Sequence, residues 1–282
     1  MHRGLDAEVA LTAVTDFLLD THVHVTTDDV AAYPRAEAPP FETHDYTNRV
    51  EDYLGLMDEA GVACATLVQP FAIYGSDNAY QSDAAASCPA RFVGVCGLSP
   101  APDAAERLRH WVQARGMAAV RINTRGEKQG LRDPNVDPLL EEAATLGVPA
   151  TILMSRRHIE TAGELAARHP RATIALDHVG GAKVGLDDSY ARLRTLAGSP
   201  NIFLKISTEQ LTEAGGAEEL AALIKAFGAG RIVWGSNYPV TDLGGYAATV
   251  QASRDVLSSV AAADREMILG RAALSLWPSL RP

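Results

Sequence analysis

Residues 17–25 read Phe-Leu-Leu-Asp-Thr-His-Val-His-Val, which predicts a short buried strand that ends in two histidines. Side chains two residues apart in a strand point to the same face, so His22 and His24 project into one space. Val23 and Val25 face the other way, as expected of a strand buried on both sides. The two imidazoles can converge on one cation or one carbonyl oxygen, or each can simply hydrogen-bond within a packed interior.

The same order of strand, loop and helix recurs along the chain. Such alternation predicts parallel strands joined by helical crossovers. Eight units on about 260 residues predict a single (β/α)8 TIM barrel over residues 17–282, after a lead-in at 1–16. An open doubly wound sheet is the alternative. The predicted strands are 17–25, 63–70, 91–100, 117–123, 149–155, 172–179, 201–207 and 231–239. The first predicted helix runs from about Asp45 to Ala60, and the last one from Asp264 to Trp277.

Composition and charge narrow the class of protein. The 282 residues are 47% hydrophobic and 21% charged, which is typical of a globular protein with a sizeable core. The net charge of −10 disfavours nucleic acids and anionic membranes as partners. Three cysteines without metal-type spacing, and no signal-peptide pattern at the N-terminus, predict a cytoplasmic protein.

Polar residues at the ends of the predicted strands are the candidates for the active site, because barrel enzymes carry their chemistry there. We expect catalytic roles for His22 and His24 on the first strand, His178 on the sixth and Asn237 on the eighth. Burial makes unpaired polar groups costly, so such residues need partners or ligands. The candidate substrate-binding residues are Gln69, Arg121, Asn123, Arg125, Lys128, Lys205 and Tyr238, with Tyr33, Arg35 and His44 in the loop after the first strand.

Five motifs in this order resemble the amidohydrolase superfamily, in the branch that includes 2-pyrone-4,6-dicarboxylate lactonase and galactarolactone isomerase. The resemblance covers about residues 17–277 and implies a TIM barrel with a hydrolytic site at the strand ends. The motifs are Asp-Thr-His-Val-His (20–24), Val-Arg-Ile-Asn (120–123), Leu-Asp-His-Val-Gly (176–180), Leu-Lys-Ile-Ser (204–207) and Trp-Gly-Ser-Asn-Tyr-Pro (234–239).

Two positions depart from the pattern of the family. The eighth-strand motif usually carries an Asp that serves as general base, whereas this chain has Asn237, whose amide does not accept a proton at neutral pH. The galactarolactone isomerase resembles this chain in having Asn there and in working without a metal. The pyrone dicarboxylate lactonase has an Arg where this chain has Gly181, which argues against a pyrone dicarboxylate substrate.

These observations predict a hydrolase that opens a lactone or related cyclic ester of a small carboxylated compound. The rim histidines would polarise the carbonyl, either directly or through one divalent cation such as zinc, for which His22, His24 and His178 supply three ligands. A metal-free lactone isomerase, a metal-dependent decarboxylase and a non-catalytic ligand-binding relative are the alternatives. The expected partner is a small anionic substrate, and the sequence leaves the oligomeric state open.

Overall fold

Eight short strands lie side by side in chain order, and each pairs in parallel with the next. The computed structural model describes residues 17–36 and 46–281. The strands are β1 (Leu19–Val23), β2 (Cys64–Val68), β3 (Phe92–Leu98), β4 (Ala119–Asn123), β5 (Ala150–Leu153), β6 (Ile174–Leu176), β7 (Ile202–Ser207) and β8 (Ile232–Gly235).

Helices fill the crossovers between the strands and cover the outside of the sheet. Helices α1 and α5 end at Gly61 and Gly147, whose φ angles of 69° belong to the left-handed region that glycine tolerates. The helices are α1 (Val50–Ala60), α2 (Phe71–Tyr74), α3 (Ala79–Ser87), α4 (Ala104–Gln113), α5 (Val136–Leu146), α6 (Ile159–Arg168), α7 (Ser189–Thr195), α8 (Thr208–Thr212), α9 (Gly216–Phe227), α10 (Tyr246–Leu257) and α11 (Ala262–Leu269).

Backbone hydrogen bonds between the ends of β1 and β8 close the sheet on itself. The Asn237 N–H donates to the His22 carbonyl at 2.8 Å, and the His24 N–H donates to the Tyr238 carbonyl at 2.9 Å. Asp20 reinforces the end of β1, since its Oδ1 accepts the His22 N–H at 3.0 Å. The strands therefore form a nearly closed barrel, which confirms the predicted (β/α)8 fold and excludes the open sheet.

The predicted strands agree with the structure except at their ends. β6 and β8 end earlier than predicted, at Leu176 and Gly235. The chain leaves the sheet there because His178, Val179 and Asn237 adopt positive φ angles of 51°, 48° and 60°. Non-glycine residues rarely adopt this conformation, and sequence periodicity carries no signal for it.

Two expectations concern the two stretches at the start of the chain that lie outside the described residues. They are the lead-in at 1–16 and the substrate contact expected of His44. The helix expected from about Asp45 begins later than predicted, at Val50, because residues 46–49 are not helical and Arg49 is extended. Among the described residues, no helix combines the length and the apolar character that a membrane span requires.

The interior of the barrel is apolar at one end and charged at the other. At the N-terminal ends of the strands, small apolar side chains pack against the C-terminal segment, with Trp277 and Leu280 buried among them. That segment is a short 3-10 turn after Gly270, although the sequence predicted that the last helix would continue to Trp277. Toward the opposite end lie the buried charges of Arg121, Asp177 and Lys205.

Candidate active site

Three imidazoles lie together at the C-terminal ends of β1 and β6. The ring centroids of His22 and His24 are 5.0 Å apart, and those of His22 and His178 are 4.8 Å apart. His178 follows the last residue of β6 by two positions, and the left-handed turn through Val179 directs the chain away from the strand. Strain of this kind is typical of functional sites, where the surrounding structure imposes it.

Asp177 connects the cationic residues beneath these rings. Its Oδ2 accepts a hydrogen bond from Arg121 Nε at 2.7 Å, and its Oδ1 lies 3.0 Å from Lys205 Nζ. All three side chains are buried. Burial alone would raise the pKa of Asp177, but the charges of Lys205 and Arg121 lower this pKa well below its usual range. One carboxylate thus faces two cations, and this group of three residues carries net positive charge.

His22 lies between the two cations. Its Nδ1 is 3.2 Å from Lys205 Nζ, and its Nε2 is 3.4 Å from an Arg121 Nη2. Burial, followed by the charges of Lys205 and Arg121, lowers the pKa of His22 well below its usual value. The ring is therefore neutral at physiological pH.

His24 and His178 are also neutral, and each has a different partner at Nδ1. The His24 Nδ1 lies 2.8 Å from the Val68 carbonyl, which can only accept, so Nδ1 carries the proton and Nε2 keeps its lone pair. The His178 Nδ1 lies 2.5 Å from the Ser207 Oγ. Burial lowers the pKa of each ring to about 3. Neutral His24 can therefore accept a proton from a neighbouring molecule.

Asn237 and Tyr238 border the imidazoles because the end of β8 pairs with β1. The Asn237 Nδ2 donates to Thr241 Oγ1 at 3.2 Å, and the residue is only 6% exposed. The Tyr238 ring lies edge-on to Tyr246, with their centroids 5.2 Å apart. The structure thus brings the three imidazoles together with Arg121 and Lys205, and backbone pairing with β1 places Asn237 and Tyr238 beside them.

Gln69 and Asn123 hold loops rather than facing open space. The Gln69 side chain is fully buried, and its amide nitrogen donates to the carbonyls of Gly75 and Asp77, both at 2.8 Å. The Asn123 Oδ1 accepts the backbone N–H of Arg125 at 3.2 Å and so shapes the loop after β4. In these contacts both side-chain amides hold the backbone of the loops that follow β2 and β4.

The remaining candidates lie in exposed loops. Arg125 and Lys128 are exposed in the segment after β4, and the charge of Arg125 contributes to lowering the pKa of His178. The Tyr33 hydroxyl donates to Asp83 Oδ2 at 2.9 Å, so it binds the neighbouring helix α3. Of these residues, Arg125 lies close enough to His178 for its charge to affect that ring.

Sequence reasoning missed the roles of Asp177, Ser207 and Asp20, although all three stand in the quoted motifs. Asp177 directly precedes a candidate histidine, and two buried cations require a carboxylate partner, so that signal was present. Ser207 pairs with His178 from the end of β7. Asp20 accepts hydrogen bonds from the backbone of Ser236 at 2.8 Å and from the Tyr246 hydroxyl at 3.0 Å.

The imidazoles do not fit a divalent cation as they are arranged. Within residues 17–36 and 46–281, no three His, Cys, Asp or Glu side chains form a group that could hold a metal ion. Each ring nitrogen of His22 also lies within 3.4 Å of a cationic nitrogen, that of Lys205 on one side and that of Arg121 on the other. A metal ion bound to either ring nitrogen would be repelled by that charge at short range.

Comparison with known proteins shows the family to which this chain belongs. A family model described as amidohydrolase matches residues 19–278. An L-fucono-1,5-lactonase of Burkholderia ambifaria is 28% identical over 210 residues, which cover 70% of this chain and 71% of that protein. A crystal structure assigned to a 2-pyrone-4,6-dicarboxylic acid hydrolase of Pseudomonas putida superimposes with a TM-score of 0.79 at 25% identity, over 95% of this chain and 99% of that chain.

The same fold is shared more widely. A 5-carboxyvanillate decarboxylase of Sphingomonas paucimobilis superimposes with a TM-score of 0.67 at 18% identity, covering 94% of this chain and 99% of that chain. At this identity the likeness concerns the fold alone, because one barrel supports many chemistries.

Proposed function

The chain belongs to the amidohydrolase family and is a hydrolase, and we propose that it opens a lactone or related cyclic ester of a small carboxylated compound. The observation that carries this proposal is the convergence of three neutral imidazoles on a buried group with net positive charge. Such a site suits a substrate with one anionic group and a carbonyl that becomes anionic during the reaction. The relative named as an L-fucono-1,5-lactonase supports the same class of substrate.

Substrate binding in this proposal uses the excess positive charge. Arg121 contacts Asp177 through Nε, while its Nη2 points toward His22. Arg125 adds an exposed cation at the rim. A pyrone dicarboxylate is not favoured, because Gly181 stands where the pyrone dicarboxylate lactonase has an arginine. A side chain at Gly181 would be strained by its φ of 75°, and its Cβ would lie 3.1 Å from the Met154 carbonyl oxygen.

Hydrolysis then follows from the hydrogen-bonding state of each ring. Water attacks the acyl carbon and transfers a proton to the Nε2 of His24, whose Nδ1–H is held by Val68. Imidazole and guanidinium N–H groups stabilise the oxyanion, and one such donor is typically worth about 3–4 kcal/mol. The bond from the acyl carbon to the ring oxygen breaks, and that oxygen takes the proton from His24. The product is a hydroxy acid, which ionises near neutral pH.

A panel of lactones in weakly buffered indicator at pH 7 tests the proposal. We expect one proton to be released per molecule opened, with carboxylated lactones preferred over their neutral counterparts. Tight binding of these lactones without proton release or ring change, detected as a rise in melting temperature only, would instead identify a binding protein and overturn the proposal.

A lactone isomerase is the second candidate, and Asn237 is the observation that favours it. An amide at this position cannot take a proton from water, and here its Nδ2 is already engaged by Thr241. A substrate hydroxyl would then replace water as nucleophile, which changes the size of the ring without releasing a proton. Asn237→Asp should raise proton release relative to ring change if the native enzyme is an isomerase, and it should not do so if the native enzyme already hydrolyses lactones.

A further inference from the structure

We propose that Lys205 is a positioning residue that fixes the tautomer of His22, so that Nδ1 accepts a hydrogen bond and Nε2 carries the proton. The proposal rests on the proposed function for its catalytic meaning, but the tautomer itself can be measured without any substrate. It gives the two histidines of the β1 motif opposite roles. His22 donates, whereas His24 accepts.

The geometry around the His22 Nδ1 leaves one suitable partner. Lys205 Nζ lies 3.2 Å from this nitrogen, and the competing acceptor, Asp177 Oδ1, lies 3.8 Å away. A distance of 3.8 Å is too long for a hydrogen bond from an Nδ1–H. An ammonium group can donate but not accept, so the contact with Lys205 requires an unprotonated Nδ1.

The carboxylate of Asp177 keeps the Lys205 ammonium in place. The two groups are 3.0 Å apart, and their side chains are 2% and 0% exposed. Burial lowers the pKa of Lys205, while the charge of Asp177 opposes this shift and restricts the ammonium to few orientations. Lys205 is therefore a fixed donor, whereas a lysine at the surface could turn away from the ring.

Two donors then face the same region on the other side of the ring. The neutral ring carries its proton on Nε2, and this nitrogen lies 3.4 Å from Arg121 Nη2. A guanidinium also only donates, so the contacts of Lys205 and Arg121 compete for the single acceptor nitrogen of the neutral ring. We take the shorter contact, 3.2 Å from Lys205 to Nδ1, as the hydrogen bond to the ring. The N–H groups of Nε2 and Arg121 are then both available to a third group that only accepts. The carbonyl oxygen of a lactone is such a group, and it gains negative charge during attack.

The same reasoning separates His22 from His24. The His24 Nδ1 faces a carbonyl oxygen, whereas the His22 Nδ1 faces an ammonium, so the protons lie on opposite nitrogens of the two rings. The outward nitrogen of His24 is then a base and that of His22 an acid. The pair can take a proton from water and stabilise an oxyanion without any change of tautomer.

Long-range 1H–15N correlation spectra of the full chain labelled at histidine nitrogen test this assignment. The His22 signals are identified by their loss in His22→Gln. We expect the pattern of a ring protonated at Nε2 for His22 and at Nδ1 for His24. A wild-type His22 protonated at Nδ1 would overturn the proposal even if no variant could be purified.

Lys205→Met removes the donor but leaves Asp177 paired with Arg121. We expect the His22 signals to move toward a mixture of tautomers, and Lys205→Arg to restore part of the wild-type pattern. Lys225→Met, on the exposed face of α9, is the matched control and should leave the spectrum unchanged. An unchanged His22 pattern in a folded Lys205→Met protein would show that Lys205 does not set the tautomer.

Turnover supplies a second readout. If hydrolysis of a lactone has been found, Lys205→Met should lower kcat by about 100- to 1,000-fold, the effect of losing one oxyanion donor, and Lys205→Arg should recover part of it. A folded Lys205→Met protein with wild-type kcat would overturn the catalytic role of the fixed tautomer. A lactone panel without turnover would defeat the proposed function while leaving the spectroscopic result intact.

Discussion

The two ends of the barrel are made by the same eight strands but contain opposite chemistry. At the N-terminal end, Trp277 and Leu280 are buried among apolar side chains. At the C-terminal end, the strands lead into buried charges and three imidazoles, and the positive φ angles of non-glycine residues in the described chain occur there, at positions such as His178 and Asn237. The N-terminal end is thus stabilised by apolar packing, whereas the C-terminal end contains strained backbone and desolvated polar groups.

This difference indicates which end is selected for stability and which for chemistry. Burying a large apolar side chain stabilises a fold by about 1.5–3 kcal/mol. A buried ion cluster such as that of Asp177 roughly breaks even against an apolar replacement, because desolvation offsets the attraction between the charges. The charged end adds little stability, and in the proposed function its arrangement serves to bind a substrate. Three changes test the contrast.

The largest expected effect is at the charged end. His24→Gln removes the proposed base while an amide N–H can still donate to Val68. We expect turnover of a lactone substrate to fall by about 100- to 10,000-fold, the usual contribution of general base catalysis. Steady-state kinetics measure this loss, and thermal melting checks the fold. A His24→Gln enzyme with near wild-type turnover would mean that another group takes the proton.

The next effect is at the apolar end and concerns stability alone. Trp277→Ala should lower the free energy of unfolding by about 3–5 kcal/mol, because it leaves a cavity in the closed mouth of the barrel. Urea unfolding measures this change. Trp277→Phe should cost less, since the Trp277 Nε1 has no hydrogen-bond partner among the described residues. A reduced kcat for folded Trp277→Ala would contradict the separation of the two ends.

The sequence predicted the barrel and the meeting of the imidazoles because both follow from local rules. Strand spacing recurs along the chain, and His22 and His24 share a face through the two-residue period of a strand. The approach of His178 to His22 required only that parallel strands end at the same mouth. These predictions did not depend on the conformation of any loop.

Specific partners were harder to predict, because they depend on side chains that are distant in sequence. The ion pair of Lys205 and Asp177 needs β6 and β7 to be neighbours with their side chains at matching depth. Gln69 could equally have faced a ligand, and only the path of the loop at 75–77 assigns its amide to backbone carbonyls. The left-handed turn at Val179, which no propensity favours, sets the final position of His178.

The smallest expected effect is the contribution of a single ring, His24, to the dependence of stability on pH, and it should arise at the charged end. The pKa values of His24 and His178 are about 3 in the folded protein, against about 6.5 for an unfolded chain. Between these values the unfolded chain binds protons that the folded protein does not. The free energy of unfolding therefore falls as the pH drops below about 6.5, by up to about 1.4 kcal/mol per pH unit for each ring. Asp177, whose pKa is also lowered, contributes with the same sign only below about pH 4.

Urea unfolding at pH 7.5, 6.0 and 5.0 at constant ionic strength measures this slope. His24→Gln should reduce it, because the amide does not titrate, whereas Trp277→Phe at the opposite end should preserve it. Equal slopes in the wild type and in His24→Gln would mean that burial does not lower the pKa of His24 in the folded protein. A reduced slope in His24→Gln alone would trace the loss of stability in acid to the end of the barrel that holds the imidazoles.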